Sequence, residues 1–432
     1  MWLPLRPGPY VCAEWDFGGL PAYLLRDPEL RIRSLYPRYM AAAERYLRAL
    51  AGIVRPLLVT RGGPILMVQL ENEYGSYGND RAYPARLKEV WQLAGIDVPF
   101  YTADGPTPHM LEAGHVAGAA VGLASGSSER DFTLARSLVP GVPVFSEETY
   151  PGWLTHWGEQ WARPPVADLL NEVRFLVDTG KSFSFYVFHG GTNFGFTAGA
   201  NSGGRGYEPD VTSYDYDAPL DEQGRPTAKY HALRELIRGS LRAGESLPRV
   251  PASIPASAIP EFPLRAHASL WQHLPAPIAA VHPRPFEMYG QNQGLVLYRT
   301  RLVGRKSGRL TITELHDYAN VFLDGMPVGT LDRRLGENSL ELPTVENPLP
   351  TLEILVEGMG HINFAQAMID RKGITDRVTL AGMTLMNWEV FLLPLADAWV
   401  QALPPARPPA HGQASSFGAS SRSAGRPTRS ST

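Results

Sequence analysis

Two apolar stretches of the chain end in carboxylates. In the first, Gly62-Gly63-Pro64-Ile65-Leu66-Met67-Val68-Gln69-Leu70 runs into Glu71-Asn72-Glu73-Tyr74-Gly75. In the second, Val142-Pro143-Val144-Phe145-Ser146 runs into Glu147-Glu148-Thr149-Tyr150-Pro151-Gly152-Trp153. Two carboxyl groups held about 5–5.5 Å apart cleave a glycosidic bond with retention, one as a protonated acid and the other as a nucleophile. Carboxylates from two strand ends of one barrel can meet that spacing. The plain alternative for either cluster is a solvated loop, which the glycines, the proline and the Asn-Glu pair of the first make less fitting. If the first strand stays regular, Glu71 and Glu73 face one way and Asn72 the other. Trp153 and Trp157 are candidates for a sugar platform, with core packing as the alternative. The lone Cys12 has no paired base and does not read as a nucleophile. His156, His189 and the other histidines lack ligand spacing, so no metal site is expected, and the two-carboxylate chemistry needs no cofactor.

The elements around these residues follow an alternating pattern. Short apolar runs at Leu5–Tyr10, Ile65–Leu70, Pro99–Thr102, Ala120–Leu123, Val142–Phe145 and Ser182–Phe188 read as strands. Helical stretches such as Tyr39–Val54, Arg81–Leu93, Val166–Asp178 and Thr227–Arg242 lie between or after them. Strand and helix in alternation predict a parallel sheet of the α/β class, and the carboxyl ends of its strands form the active face of a barrel. Six strands are countable, whereas a closed (β/α)8 TIM barrel has eight. Residues 1–243 are therefore expected to be a partial barrel. Proline is dense over 244–285, which reads as a linker. Residues 286–397 carry short alternating strands separated by turns, the pattern of an antiparallel β-sandwich or jelly roll. Residues 398–432, rich in Ser, Gly, Ala, Pro and Arg, are expected to be disordered.

The 432 residues carry a formal net charge of −3 and a single cysteine. Near-balanced charge argues against nucleic acid or an anionic membrane as a main partner. One cysteine forms no internal disulfide and no thiolate cluster. The first residues have no charged start followed by an apolar core, so they do not read as a signal peptide, and a cytoplasmic location is the expectation.

Five segments in order resemble signatures of glycoside hydrolase family 35, the β-galactosidases: RPGPYVCAEWDFGGLPAYLL, GGPILMVQLENEYGSYG, SEETYPGWLTHWGE, YVFHGGTNFGF and TSYDYDAPLDEQG. The resemblance runs from about Leu5 to about Leu395. It implies a TIM barrel followed by a galactose-binding-like jelly roll, and a β-galactoside as substrate. It implies Glu73 as acid/base and Asn72 as a partner of the sugar 2-hydroxyl. The family nucleophile lies four residues before the Gly-Trp pair, which gives Glu148, with Glu147 the alternative by one position. Cys12, Ala13 and Glu14 match the family's sugar-binding turn, the first two through backbone and Glu14 through hydrogen bonds to galactose hydroxyls. Tyr186 and Tyr216 match two tyrosines of the site. Family members have two further barrel strands before the segment at Arg6, and many continue into a second jelly roll. His361 stands where an arginine is usual. The resemblance leaves room for a β-glucosaminidase of the same family, or for a non-catalytic relative that binds galactosides. Oligomeric state is open.

Overall fold

A computed structural model describes residues 2–203, 206–263 and 268–404. Six strands, β1 (Leu3–Leu5), β2 (Ile65–Gln69), β3 (Phe100–Asp104), β4 (Ala120–Ala124), β5 (Val144–Thr149) and β6 (Phe183–Phe185), form one parallel sheet in sequential order. The sheet curls without pairing β1 to β6, so the expected partial barrel is what the chain forms. Every residue of β3 and β4 is buried. The unbroken apolar run Ala120–Ala124 is what a parallel sheet covered on both faces demands.

The helices pack outside this sheet. In α1 (Pro37–Val54), proline occupies the first turn, where it suits a helix start, and Met40, Ala43, Leu47, Ala51 and Val54 recur at helical spacing on the buried face. Leu47 is fully buried in the main core with Trp91 of α2 (Ala82–Leu93). Truncating Leu47 to alanine costs roughly 2–5 kcal/mol. A capping box of Ser128 and Asp131 starts α3 (Glu129–Leu138). Two further helices, α4 (Val166–Asp178) and α5 (Ala228–Gly239), pack on each other beside β6. No helix among the described residues is long and apolar enough to cross a membrane.

The second half is the expected sandwich. A six-stranded antiparallel sheet orders Ile278–Ala280, Trp388–Leu393, Gly294–Arg301, Thr351–Gly358, Tyr318–Leu323 and Met326–Asp332. It faces a four-stranded sheet of Ser339–Leu342, Gly308–Ile312, Val378–Leu380 and Met383–Thr384 across a core that includes Tyr298, Ile354 and Trp388.

Several boundaries differ from the sequence reading. The first strand is Leu3–Leu5, not Leu5–Tyr10. Pro7 and Pro9 supply no amide donors, so the ladder stops before them. The presumed linker 244–285 contains the edge strand Ile278–Ala280, paired with Trp388–Val390. Strands Met326–Asp332 and Ser339–Leu342 lack clean alternation and escaped the reading. Asp397–Gln401 is a short helix at the start of the expected tail. The tail from 405 onward lies outside the described residues.

The two halves meet at the segment Gly360–Phe364. The amide of Asn363 donates to the Ala200 carbonyl at 2.9 Å, and the Ala200 amide to the His361 carbonyl at 3.1 Å. A Cβ on Gly360 would stand 2.2 Å from the Gly199 carbonyl oxygen, so only glycine allows this approach. His361 is buried between Asp16 of the first half and Glu287 of the second, at 2.8 and 2.7 Å. Burial opposes its charge, but the two carboxylates outweigh that and raise its pKa to about 10.

Candidate active site

The strand ends converge on one cavity. Cys12, Ala13, Glu14, Asn72, Glu73, Glu148, Tyr186 and Tyr216 all line it. The sequence thus places each of its site residues on a single surface. Cys12, Ala13, Glu14, Glu73 and Tyr216 hold left-handed backbone, with φ of 60, 60, 45, 44 and 60°. Non-glycine residues in this region cost of order 1–3 kcal/mol each and cluster at functional sites.

Strain of this kind also explains why the expected alternation at 71–73 fails. Strand β2 ends at Gln69, and Glu71 itself has φ 63°. The turn sends Glu71 inward and brings Asn72 and Glu73 to the cavity together. Glu71 is buried against Arg33 through two hydrogen bonds of 2.9 and 2.7 Å, and accepts from the Tyr83 hydroxyl at 3.0 Å. Arg33 also donates to the Asn72 carbonyl at 2.6 Å. The pair fixes the backbone that carries the two cavity residues.

The ends of β1 and β5 are tied by Arg6. Its guanidinium donates to Asn72 Oδ1 at 2.7 Å, to Glu148 Oε1, and approaches Glu147 Oε2 at 3.2 Å. Glu147 and Glu148 face different surroundings. Glu148 lines the cavity and accepts from the Tyr150 hydroxyl at 2.7 Å. Glu147 lies under the sheet end beside Tyr101, at 3.4 Å, and burial raises its pKa to about 7. Glu73 is also raised, to about 8, first by burial and then by the charges of Glu148 and Asp104. A carboxyl held protonated near neutrality, facing a second carboxylate stabilised by a cation, is the division of labour that acid-assisted displacement requires.

Opposite these groups, Glu14 accepts from the Tyr214 hydroxyl and from Asn363 Nδ2 at 3.5 Å. Burial pushes the Glu14 carboxyl above its ordinary range. Tyr186 and Tyr214 share a hydrogen bond of 3.0 Å. Trp153 lines the mouth with half its surface exposed and packs against Tyr150 and Tyr216. Trp157, more exposed, does not line the cavity.

Arg6, Tyr150, Tyr214, Asn363 and Phe364 belong to this constellation and were not singled out in the sequence. Arg6, Tyr150 and Tyr214 sit inside motifs already recognised, at Arg-Pro-Gly-Pro-Tyr, Glu-Glu-Thr-Tyr and Ser-Tyr-Asp-Tyr. Asn363 and Phe364 come from the sandwich, and only the tertiary fold brings them to the site.

The family model described as Glycosyl hydrolases family 35 matches residues 1–240, and the one described as Beta-galactosidase, first all-beta domain, matches residues 283–395. The chain is 42% identical over 400 residues to a beta-galactosidase of Xanthomonas manihotis, covering 90% of this chain and 66% of that one. It is 38% identical over 408 residues to a beta-galactosidase of Bos taurus, covering 91% and 61%. Against the Homo sapiens beta-galactosidase the figures are 37% over 408 residues, 91% and 59%. The chain therefore spans about three fifths to two thirds of the length of these curated relatives.

Proposed function

Because the chain belongs to glycosyl hydrolases family 35, we propose that it is a retaining β-galactosidase releasing terminal β-D-galactose by double displacement. The observation that carries this reading is one cavity lined by both Glu73 and Glu148, with Glu73 raised to a neutral-range acid by burial and with Glu148 held by Arg6 and Tyr150. Glu148, oriented by Arg6 and Tyr150, attacks the anomeric carbon while Glu73 protonates the departing oxygen. The result is a galactosyl ester on Glu148. Ester formation removes the negative charge of Glu148, so the pKa of Glu73 falls and its carboxylate can take a proton from water. That water attacks the anomeric carbon from the face the leaving group vacated, and net configuration is retained. Asn72, held by Arg6, is placed for the 2-hydroxyl, and Glu14 accepts hydrogen bonds from hydroxyls on the far side of the ring. The glycosidic bond and one water are consumed, and Glu148 and Glu73 end as they began, carboxylate and protonated acid.

Initial rates on matched chromogenic β-galactoside and β-D-glucosaminide substrates test this assignment. The galactoside is expected to be turned over at least a hundredfold faster in kcat/KM. Equal or reversed preference would overturn the assignment of Glu14 to galactose. The alkaline limb of kcat/KM is expected near pH 8, where free Glu73 loses its proton.

A further inference from the structure

The histidines show no ligand spacing among themselves, but one of them lies among carboxylates from a distant segment. His156, Glu159 and Glu208 each place a ligand atom within 4.8 Å of the others. The loop carrying His156 and Glu159 is docked on the strand carrying Glu208 by the Trp157 amide, which donates to the Pro209 carbonyl at 2.7 Å. His156 also bridges Asp210. Inside the loop, His156 Nδ1 lies 3.0 Å from Glu159 Oε2.

Asp210 gives an independent observation. Its side chain is only 3% exposed, yet both of its carboxylate oxygens are buried without a hydrogen-bond partner. Its Oδ1 stands 3.6 Å from His156 Nε2, which is likewise buried and unpartnered. A buried carboxyl left without a partner is costly, and a histidine that ligates a metal hands its second ring N–H to just such a carboxylate.

We propose that His156, Glu159 and Glu208 bind a divalent cation, Zn²⁺ by the mixture of imidazole and carboxylate donors, with Asp210 orienting the histidine. With its proton on Nε2 toward Asp210, His156 turns the Nδ1 lone pair to the ion. A tetrahedral shell with bonds of about 2.0–2.2 Å has ligand–ligand edges of roughly 3.4 Å, so His156 and Glu159, 3.0 Å apart, open slightly while Glu208 moves in, and one position is left for water.

The site is separate from the catalytic carboxylates but joined to the sugar-binding turn. The Asp210 amide donates to the Gly199 carbonyl at 3.0 Å, and the Gly199 amide to the Glu14 carbonyl at 2.8 Å. The cation would brace the cavity wall that carries Glu14.

The test is calorimetric titration of the full chain, freed of metal by chelator, with Zn²⁺, alongside thermal unfolding with and without the ion. One equivalent is expected to bind and to raise Tm. His156→Ala and Glu208→Gln are each expected to weaken binding at least tenfold, Asp210→Asn to weaken it by about tenfold or more, and His282→Ala, at an exposed histidine, to leave it unchanged. Because Glu208→Gln keeps shape and surface, it separates loss of the site from loss of the fold. No saturable binding, or the same affinity in the His156 and Glu208 variants, would overturn the proposal.

Discussion

Glu73 meets two demands that conflict. The proposed mechanism asks for a carboxyl that stays protonated near pH 8, and burial with Glu148 and Asp104 supplies that at the expense of stability. The sign follows from linkage. A carboxyl raised in the folded state contributes fully below the ordinary glutamate pKa of about 4.3, and the contribution is lost as pH rises toward 8. Glu73→Gln removes the ionising group. It is therefore expected to lower kcat/KM on unactivated galactosides by roughly 10²–10⁴-fold and to raise Tm relative to the parent chain at pH 9. Substrates with activated phenol leaving groups should be spared in the first step, and stopped-flow release of the phenol reads this directly. The residue types and their order were legible in the sequence, because strand-terminal carboxylates in these motifs are specific. Their directions were not. Left-handed backbone at Glu71 and Glu73 overrides strand alternation, and the bidentate Arg33–Glu71 pair that holds it joins residues 38 apart.

At the scale of elements, the segment Gly360–Phe364 is a part of the site supplied by the sandwich. Asn363 is fully buried; its carbonyl accepts from the Tyr10 hydroxyl at 2.7 Å and its side chain reaches Glu14 and Cys12. Asn363→Ala leaves Glu14 with one neighbour fewer. The expected outcome is a rise of about tenfold in KM, the weight of one buried hydrogen bond of ~1.5 kcal/mol, with a smaller change in kcat. A matching loss in both constants with lowered Tm would mean that Asn363 serves the fold alone. Parallel strands were readable from their unbroken apolar runs, and the best helix boundaries fall within a residue or two, as at Val166–Asp178. Edge elements were harder. Ile278–Ala280 lies in a proline-rich stretch whose composition says linker, and only pairing with Trp388–Val390 makes it a strand. Nothing local in Gly-His-Ile-Asn-Phe announces a catalytic neighbour.

Across the whole molecule, the two halves share packed core, with Ile362 and Met368 in the barrel-side cluster, and a buried charge cluster lies at their junction. His361, paired with Asp16 and Glu287, has its pKa raised from 6.5 to about 10. The stability this gives is fully present below pH 6.5 and is lost as pH rises through about 10. His361→Gln is expected to lower Tm most near pH 6 and to narrow its gap from the parent chain as pH rises through about 10. A gap that stays constant from pH 6 to 11 would show that the pair carries no charge. The two-domain order and the partial barrel were legible from periodicity, whereas the junction was not, since it rests on contacts between residues some 345 positions apart. The central claim is that Glu148, held by Arg6 and Tyr150, forms a covalent galactosyl ester within this cavity. Incubation of the full chain with an activated 2-deoxy-2-fluoro-β-galactoside, followed by peptide mass spectrometry, tests it most directly. The account predicts a single fluorogalactosyl adduct on Glu148. An adduct on Glu147, or slow turnover with no adduct on either residue, would contradict it.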